Sequence, residues 1–330
     1  MGIDGFQVAI ITAIVVAYFM PGPGIAQGPA SLETLASYGL SLIFFFYGLK
    51  LSLRKLRTEL VNWRMHIIVH LSTFLLFPML GLLVKPFFGN DHYIFWLGIF
   101  YLCALPSTVS SSVVMVSIAG GNIPAAIFNA SLSTLAGIFI TPLWMLPVLE
   151  AGGESLHPGD IMLKLVLQVL LPVILGLLLN QPLGWFAEKY KIQLRYFDQS
   201  IIVLIIYTAF CHAFFEKAFA GFELSTLLLM GLGMSALFFL VFILIRKLCG
   251  ALKFNRRDTI TVLFCGSKKS LVHGTVMSKV LFPSSVAVSV ILLPLMMYHA
   301  LQLIFVSIIA QKMANPEKLR NLPADTKNEP

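Results

Sequence analysis

Residues 259–281, TITVLFCGSKKSLVHGTVMSKVL, decide how this chain is read. The stretch runs apolar, breaks at Gly266-Ser267-Lys268-Lys269-Ser270, and resumes through Gly274 to Val280 before Phe282-Pro283. Two lysines and His273 thus stand where the middle of a membrane helix belongs. Ionisable groups at that depth cost roughly 3 kcal/mol or more each, so they usually line a pathway or a site instead of facing lipid. The expectation is a transport site.

Composition outside the stretch supports a membrane setting. Of 330 residues, 58% are hydrophobic and 12% charged, with mean hydropathy +0.88, where a soluble domain carries about 25% charge. The apolar residues fall in runs of about 20, long enough at 1.5 Å per residue to cross roughly 30 Å of hydrocarbon. These runs cover 8–19, 35–53, 63–84, a fourth from Tyr93 interrupted at Pro106, then 123–149, 161–180, 199–215, 224–248, 259–281 and 286–311. The pattern predicts an all-α polytopic membrane protein of ten transmembrane helices. It forms one domain over 1–314, with a polar cytoplasmic tail at 315–330 and a mid-chain boundary in the acidic, glycine-rich loop 150–160. The first run lacks a basic leader and a small-residue cleavage site, so it reads as a retained span.

The net charge of +8 would suggest nucleic acid in a soluble protein. Here the basic residues lie in loops beside the runs. If the termini share a side with every second loop, that side collects 17 lysines and arginines against 4 opposite, with Lys268 and Lys269 inside the ninth run. The positive-inside rule then puts both termini in the cytoplasm. No nucleic-acid partner is expected. Cys103, Cys211, Cys249 and Cys265 are scattered without metal spacing and read as small core residues.

The halves echo each other. Pro106-Ser107 precedes Ile123-Pro124 at nearly the distance by which Gly266-Ser267 precedes Phe282-Pro283. Repeats of five spans must be inverted in the membrane. Interrupted helices at matching positions mark the binding site of inverted-repeat transporters, because unwound backbone must line protein or a cavity.

The segments LPSTVSSSVVMVSIAGGNIPAAIFNASLSTLAGIFITP and FCGSKKSLVHGTVMSKVLFP resemble the bile acid:sodium symporter superfamily, in its SBF-like branch related to solute carrier family 10. The resemblance covers about residues 8–311. It implies an inverted five-plus-five repeat with crossed discontinuous helices four and nine, a core of spans three to five and eight to ten, and a panel of spans one, two, six and seven. It also implies sodium-coupled uptake of a small organic anion by alternating access in a plasma membrane, the inner membrane of a bacterium, with no other cofactor. By that resemblance Ser111 and Ser112 fall where the family holds sodium, with Asn129 and Ser133 on one face of span five. Where the bile-acid branch carries an acidic residue and a Gln in span nine, this chain has Ser267, Lys268 and Lys269, and a lysine does not ligate a cation.

No carboxylate falls clearly inside a predicted span, which leaves three states for the two lysines. They are a neutral amine, an ammonium against carbonyls at a broken helix end in place of a metal ion, or an ammonium whose counter-charge is the substrate. Lys269 and His273 are four apart and share a helix face, so His273 is either a proton relay or a satisfied interior histidine. The hydroxyls at Ser107, Thr108, Ser111 and Ser112 either bond carbonyls one turn back or build a site. His70, His212 and His299 receive no role, and residues 44–47 are expected to face lipid or the panel. Alternatives from other classes are a proton-coupled carrier using the span-nine lysines, a non-transporting regulator, and an intramembrane hydrolase with Ser267 or Ser270 as nucleophile and a lysine base.

Overall fold

The structure is a computed structural model that describes residues 5–26, 28–50, 62–89, 92–151, 163, 166–215, 217, 223–282 and 288–314. Among them the chain is helical throughout, with no strand. The tail 315–330 and most of the boundary loop 150–160 lie outside the described residues. The helices are α1 (Gly5–Phe19), α2 (Leu32–Leu49), α3 (Trp63–Phe87), α4 (Tyr93–Ala104), α5 (Ser110–Ala119), α6 (Ile123–Ala151) and α7 (Val166–Leu178). They continue with α8 (Asn180–Lys189), α9 (Lys191–Phe215), α10 (Leu224–Ala251), α11 (Arg256–Gly266), α12 (Leu271–Leu281) and α13 (Val288–Met313).

Six of these helices are long and apolar enough to cross a membrane, or seven if α7 and α8, bent by 97°, count as one span. The shortfall from ten apolar runs has a local cause. The first run is a short helix, the fourth stops at Ala104, and the ninth is divided into two helices of 11 residues each.

Proline explains where the chain departs from regular helix. Pro106 lacks an N–H, so α4 ends at Ala104 with its last carbonyls unpaired along the helix. Pro78 acts the same way inside α3, where residues 72–76 form a π-turn. There the Phe77 N–H donates to the Ser72 carbonyl, so the carbonyls of Thr73 and Phe74 have no donor ahead of them. Trp144 Nε1 donates to the Phe74 carbonyl at 2.9 Å. A π-turn of this kind is common at functional sites.

Side-chain caps set the restarts. Asn255 Oδ1 accepts from the Asp258 N–H at 2.9 Å at the head of α11, and Ser270 Oγ accepts from the His273 N–H at 3.3 Å at the head of α12. Gly120, at φ 77°, closes α5 in the left-handed region that glycine tolerates. Asp258 is buried and accepts from Asn62, Asn122 and Asn255 at 3.0, 3.2 and 2.7 Å. One carboxylate therefore ties the start of α11 to the start of α3 and to the turn between α5 and α6.

Packing divides the helices into two sets of neighbours. In one, α2 lies on α7, α9 lies on α1, and α9 also meets α2. A Cβ on Gly48 would strike the Val173 carbonyl, and one on Gly176 the Phe45 carbonyl, so α2 and α7 touch backbone to backbone. In the other, α13 packs on α4, α5 and α10, while α11 packs on α3, α5 and α10. Gly137 of α6 is required by a close approach, since a Cβ there would stand 2.6 Å from Pro106 Cγ. Gly137→Val is therefore expected to shift the break after α4 and cost about 1–3 kcal/mol, read as a lower melting temperature of the purified protein; an unchanged value would show that the break is not held from α6.

Asp198 corrects the expectation that no carboxylate enters a helix long enough to span. The seventh run was expected to begin at residue 199, but α9 begins at Lys191 and carries Asp198 buried within it. Lys191, Arg195, Asp198 and Gln199 recur at helical spacing and all line one cavity. The polar stripe lowers the local hydropathy without ending the helix. The expectation that residues 44–47 face lipid or the panel fails for Tyr47, which stacks on His273 of α12 with ring centroids 5.2 Å apart.

Candidate functional site

The two breaks, 105–109 and 267–270, meet each other. The Ser270 N–H donates to the Pro106 carbonyl at 2.9 Å. Each break also satisfies the carbonyls at the end of the helix that leads into the other. From the first, Ser107 Oγ donates to the Cys265 carbonyl at 2.6 Å, and from the head of α5 just after it Ser112 Oγ donates to the Phe264 carbonyl at 3.2 Å. From the second, Lys269 Nζ donates to the Cys103 and Leu105 carbonyls at 2.7 Å each.

Lys269 is fully buried, and its third N–H reaches the Thr73 carbonyl, also at 2.7 Å. That carbonyl is left free by the π-turn, where the Phe77 N–H goes to Ser72 instead. The Phe77 ring covers the group from 4.2 Å. Three acceptors for three N–H bonds, at the short lengths of charge-assisted pairs, make a complete ammonium site. Of the three states open to Lys269, the geometry is that of an ammonium on helix-end carbonyls. Its backbone is held as well, because the Gln302 amide accepts from the Lys269 N–H at 2.9 Å and donates to the Lys269 carbonyl at 2.8 Å. Tyr298 donates to the Ser267 carbonyl at 2.7 Å, and Tyr101 to the Gly274 carbonyl at 2.5 Å.

Lys268 is equally buried and differs in every partner. Its Nζ has no hydrogen-bond partner among the described residues. Nor do Lys269 and His273 share a helix face, since Lys269 lies in the break and α12 starts at Leu271. Instead His273 Nδ1 pairs with Ser270 Oγ at 2.9 Å. Ser267 Oγ donates back to the Leu263 carbonyl at 2.6 Å, so neither serine is bonded to a lysine amine as a Ser-Lys dyad would need.

The hydroxyls gather only in part. Thr108 Oγ1 stands 2.9 Å from both Ser111 Oγ and Ser112 Oγ, and Ser133 Oγ accepts from the Ser107 N–H at 2.9 Å. Asn129 faces the other way, with Oδ1 3.1 Å from His66 Nδ1 and Nδ2 donating to the Ala125 carbonyl. The carbonyl and hydroxyl donors around Ser112 suit a hard monovalent cation, whereas the amine at Lys269 does not.

Beside the breaks opens a cavity of about 470 Å³. Thr108 and Ser111 come from the head of α5, Ser270 and His273 from the head of α12, and Ser131 and Thr134 from α6. Tyr47 and Lys50 of α2 face them, with the polar stripe of α9. Lys50 donates to Asp198 at 3.1 Å, while Lys191 and Arg195 are exposed and bring positive charge to the same wall.

Residues 4–315 match the SBF-like CPA transporter family. The chain belongs to that family. It is 40% identical over 317 residues to the "Uncharacterized protein PA2026" of Pseudomonas aeruginosa, covering 94% of this chain and 93% of that one. It is 37% identical to the "Putative symporter YfeH" of Escherichia coli K12, covering 94% and 92%, and 30% identical to the mouse "Sodium/bile acid cotransporter 7", covering 93% and 91%. The protein is thus an integral membrane transporter, which sets the hydrolase reading aside.

Thr73, Tyr298 and Gln302 were not singled out from the sequence, nor were the cavity residues Lys50, Lys191, Arg195 and Asp198. A signal existed for two features: Gln302 is an amide in the interior of an apolar run, and Pro78 interrupts the third.

Proposed function

We propose that this transporter is a secondary carrier of a small organic anion, working by alternating access through the cavity beside the two breaks. The cavity carries the reading. Lys50, Lys191 and Arg195 set against Asp198 leave its walls net positive, while Leu135, Ile202, Leu271 and Leu303 supply apolar surface. The heads of α5 and α12 both open onto it, and helix N-termini favour anions. A neutral or cationic solute gains nothing from that field.

In this reading α1, α2, α3, α4 with α5, α6, α7 with α8, α9, α10, α11 with α12, and α13 are ten spans in two inverted repeats of five. The two packing sets correspond to panel and core. Both termini are cytoplasmic, the cavity mouth with Lys191 and Arg195 lies on that side, and the membrane is the plasma membrane, the inner one in a bacterium. Sodium couples at the hydroxyls of Ser111, Ser112 and Ser133, joined by Asn129 if its amide turns from His66. Lys269 supplies a tethered cation at the second position. Proton coupling is the other reading, favoured by the Lys268 amine, which has no hydrogen-bond partner among the described residues.

Melting temperature of the purified protein tests this across sodium, with choline as control, and across cholate and small mono- and dicarboxylates. A ligand at about 100 times its Kd adds roughly 2.7 kcal/mol to stability, a rise of several degrees. If no anion raises the melting temperature, the carrier reading falls. If an anion acts but sodium does not, coupling passes to protons.

A further inference from the structure

Glu33 in the first turn of α2 contacts two basic side chains from other helices. Lys279 Nζ, in the last turn of α12, lies 2.9 Å from Glu33 Oε1, and His212 Nε2, in the last turn of α9, lies 3.9 Å from Oε2. An acid at a helix head and bases at helix tails each suit the local dipole. His212 was assigned no role on sequence grounds.

The position of this cluster is opposite to that of the cavity. Lys50, at the far end of α2, is 17 residues from Glu33, about 25 Å along the helix at 1.5 Å per residue. Lys50 lines the cavity with the first turns of α9, whereas His212 sits in the last turn of that helix. Along α12, His273 lines the cavity, Gly274 to Ser278 are buried, and Lys279 follows. The same three helices therefore part at one end to make the cavity and are joined by charge at the other. Glu33 and Lys279 also come from differently packed helices, since α2 lies on α7 and α9 whereas α12 bridges α9 and α13.

From this we infer that the Glu33–Lys279 ion pair is the latch that holds the far end of the transport pathway shut. It must break before the cavity can open to that side. His212 stays with α9 beside α2, so when Lys279 leaves, Glu33 keeps a basic neighbour. The inference rests on the alternating-access reading above, because it assigns the pair a step in that cycle.

The test needs no substrate. A reporter Thr275→Cys, one turn inward from Lys279 and fully buried, is labelled with a charged maleimide in purified protein. Native protein, whose four cysteines are all buried, serves as the blank. Glu33→Gln and Lys279→Gln are each expected to raise labelling about fivefold, the scale of a partly exposed ion pair. The double variant should label no faster than either single one, and Lys279→Arg should stay slow. Unchanged rates in the single variants, or additive rates in the double, would overturn the latch. A second reporter, Ser131→Cys in the cavity, separates the two ideas. If its labelling falls as that of Thr275→Cys rises, both stand. If it stays constant while the other rises, the latch stands and alternating access fails.

Discussion

Lys269→Met is expected to lower the melting temperature of the purified protein by about 10 °C. Methionine fills most of the volume of the stem but leaves the carbonyls of Thr73, Cys103 and Leu105 without their buried donor. An orphaned buried polar group costs about 1–3 kcal/mol, so three of them, partly relaxed, come to roughly 3–5 kcal/mol, and a domain of this size loses about 2–4 °C per kcal/mol. A more specific result is expected of Lys269→Ala, which empties a cage of three carbonyls. Ammonium or sodium at about 100 mM should recover part of the lost stability where choline does not, because only the small cations fit. A melting temperature that does not change in Lys269→Met would mean that the three carbonyls find other donors, and the tethered-cation assignment would be lost.

Lys268→Met should act in the opposite direction. The neighbouring amine is as deeply buried but has no partner among the described residues. Replacing an unsatisfied polar group by an apolar one of similar shape is neutral or stabilising by about 1–3 kcal/mol, a rise of several degrees in melting temperature. If Lys268 carries the coupling proton, the stabilised variant should also lose pH dependence of uptake. Should Lys268→Met destabilise the protein as severely as Lys269→Met, the two lysines are equivalent and the asymmetry drawn from their partners is wrong.

Much of the scaffold was legible because its causes are local. Pro106 and the Gly266–Ser270 segment stop helices by chemistry that a sequence displays, and the chain breaks at both places. What could not be read was which lysine would be satisfied. Its acceptors are backbone carbonyls contributed by α3 and α4, 164 to 196 residues away in sequence, and every residue has such a carbonyl. Their availability depends on the π-turn before Pro78, which sends the Phe77 N–H to Ser72 instead of Thr73, and on the break at Pro106, which ends α4 before a later N–H can reach Cys103 or Leu105. The stripe on α9 failed for a different reason, since charges that face a cavity depress a hydropathy average as much as charges in a loop. Asn129 shows the limit of carrying a role by helical face: it does share a helix with Ser133, but His66 of α3 takes its oxygen.

The three-carbonyl seat of Lys269 has an electrical consequence. A metal ion can be released on one side of the membrane, but a charge bonded to the chain stays with the protein on both the outward and the return leg. In the cycle proposed above, one sodium ion and one monovalent anion cancel each other on the loaded leg, so the tethered charge travels on both legs. Voltage then acts on each of them, in opposite directions, by up to about 2.3 kcal/mol per 100 mV for a charge that crosses the whole field. Turnover of such a carrier would respond to membrane potential even where the net transport is electroneutral.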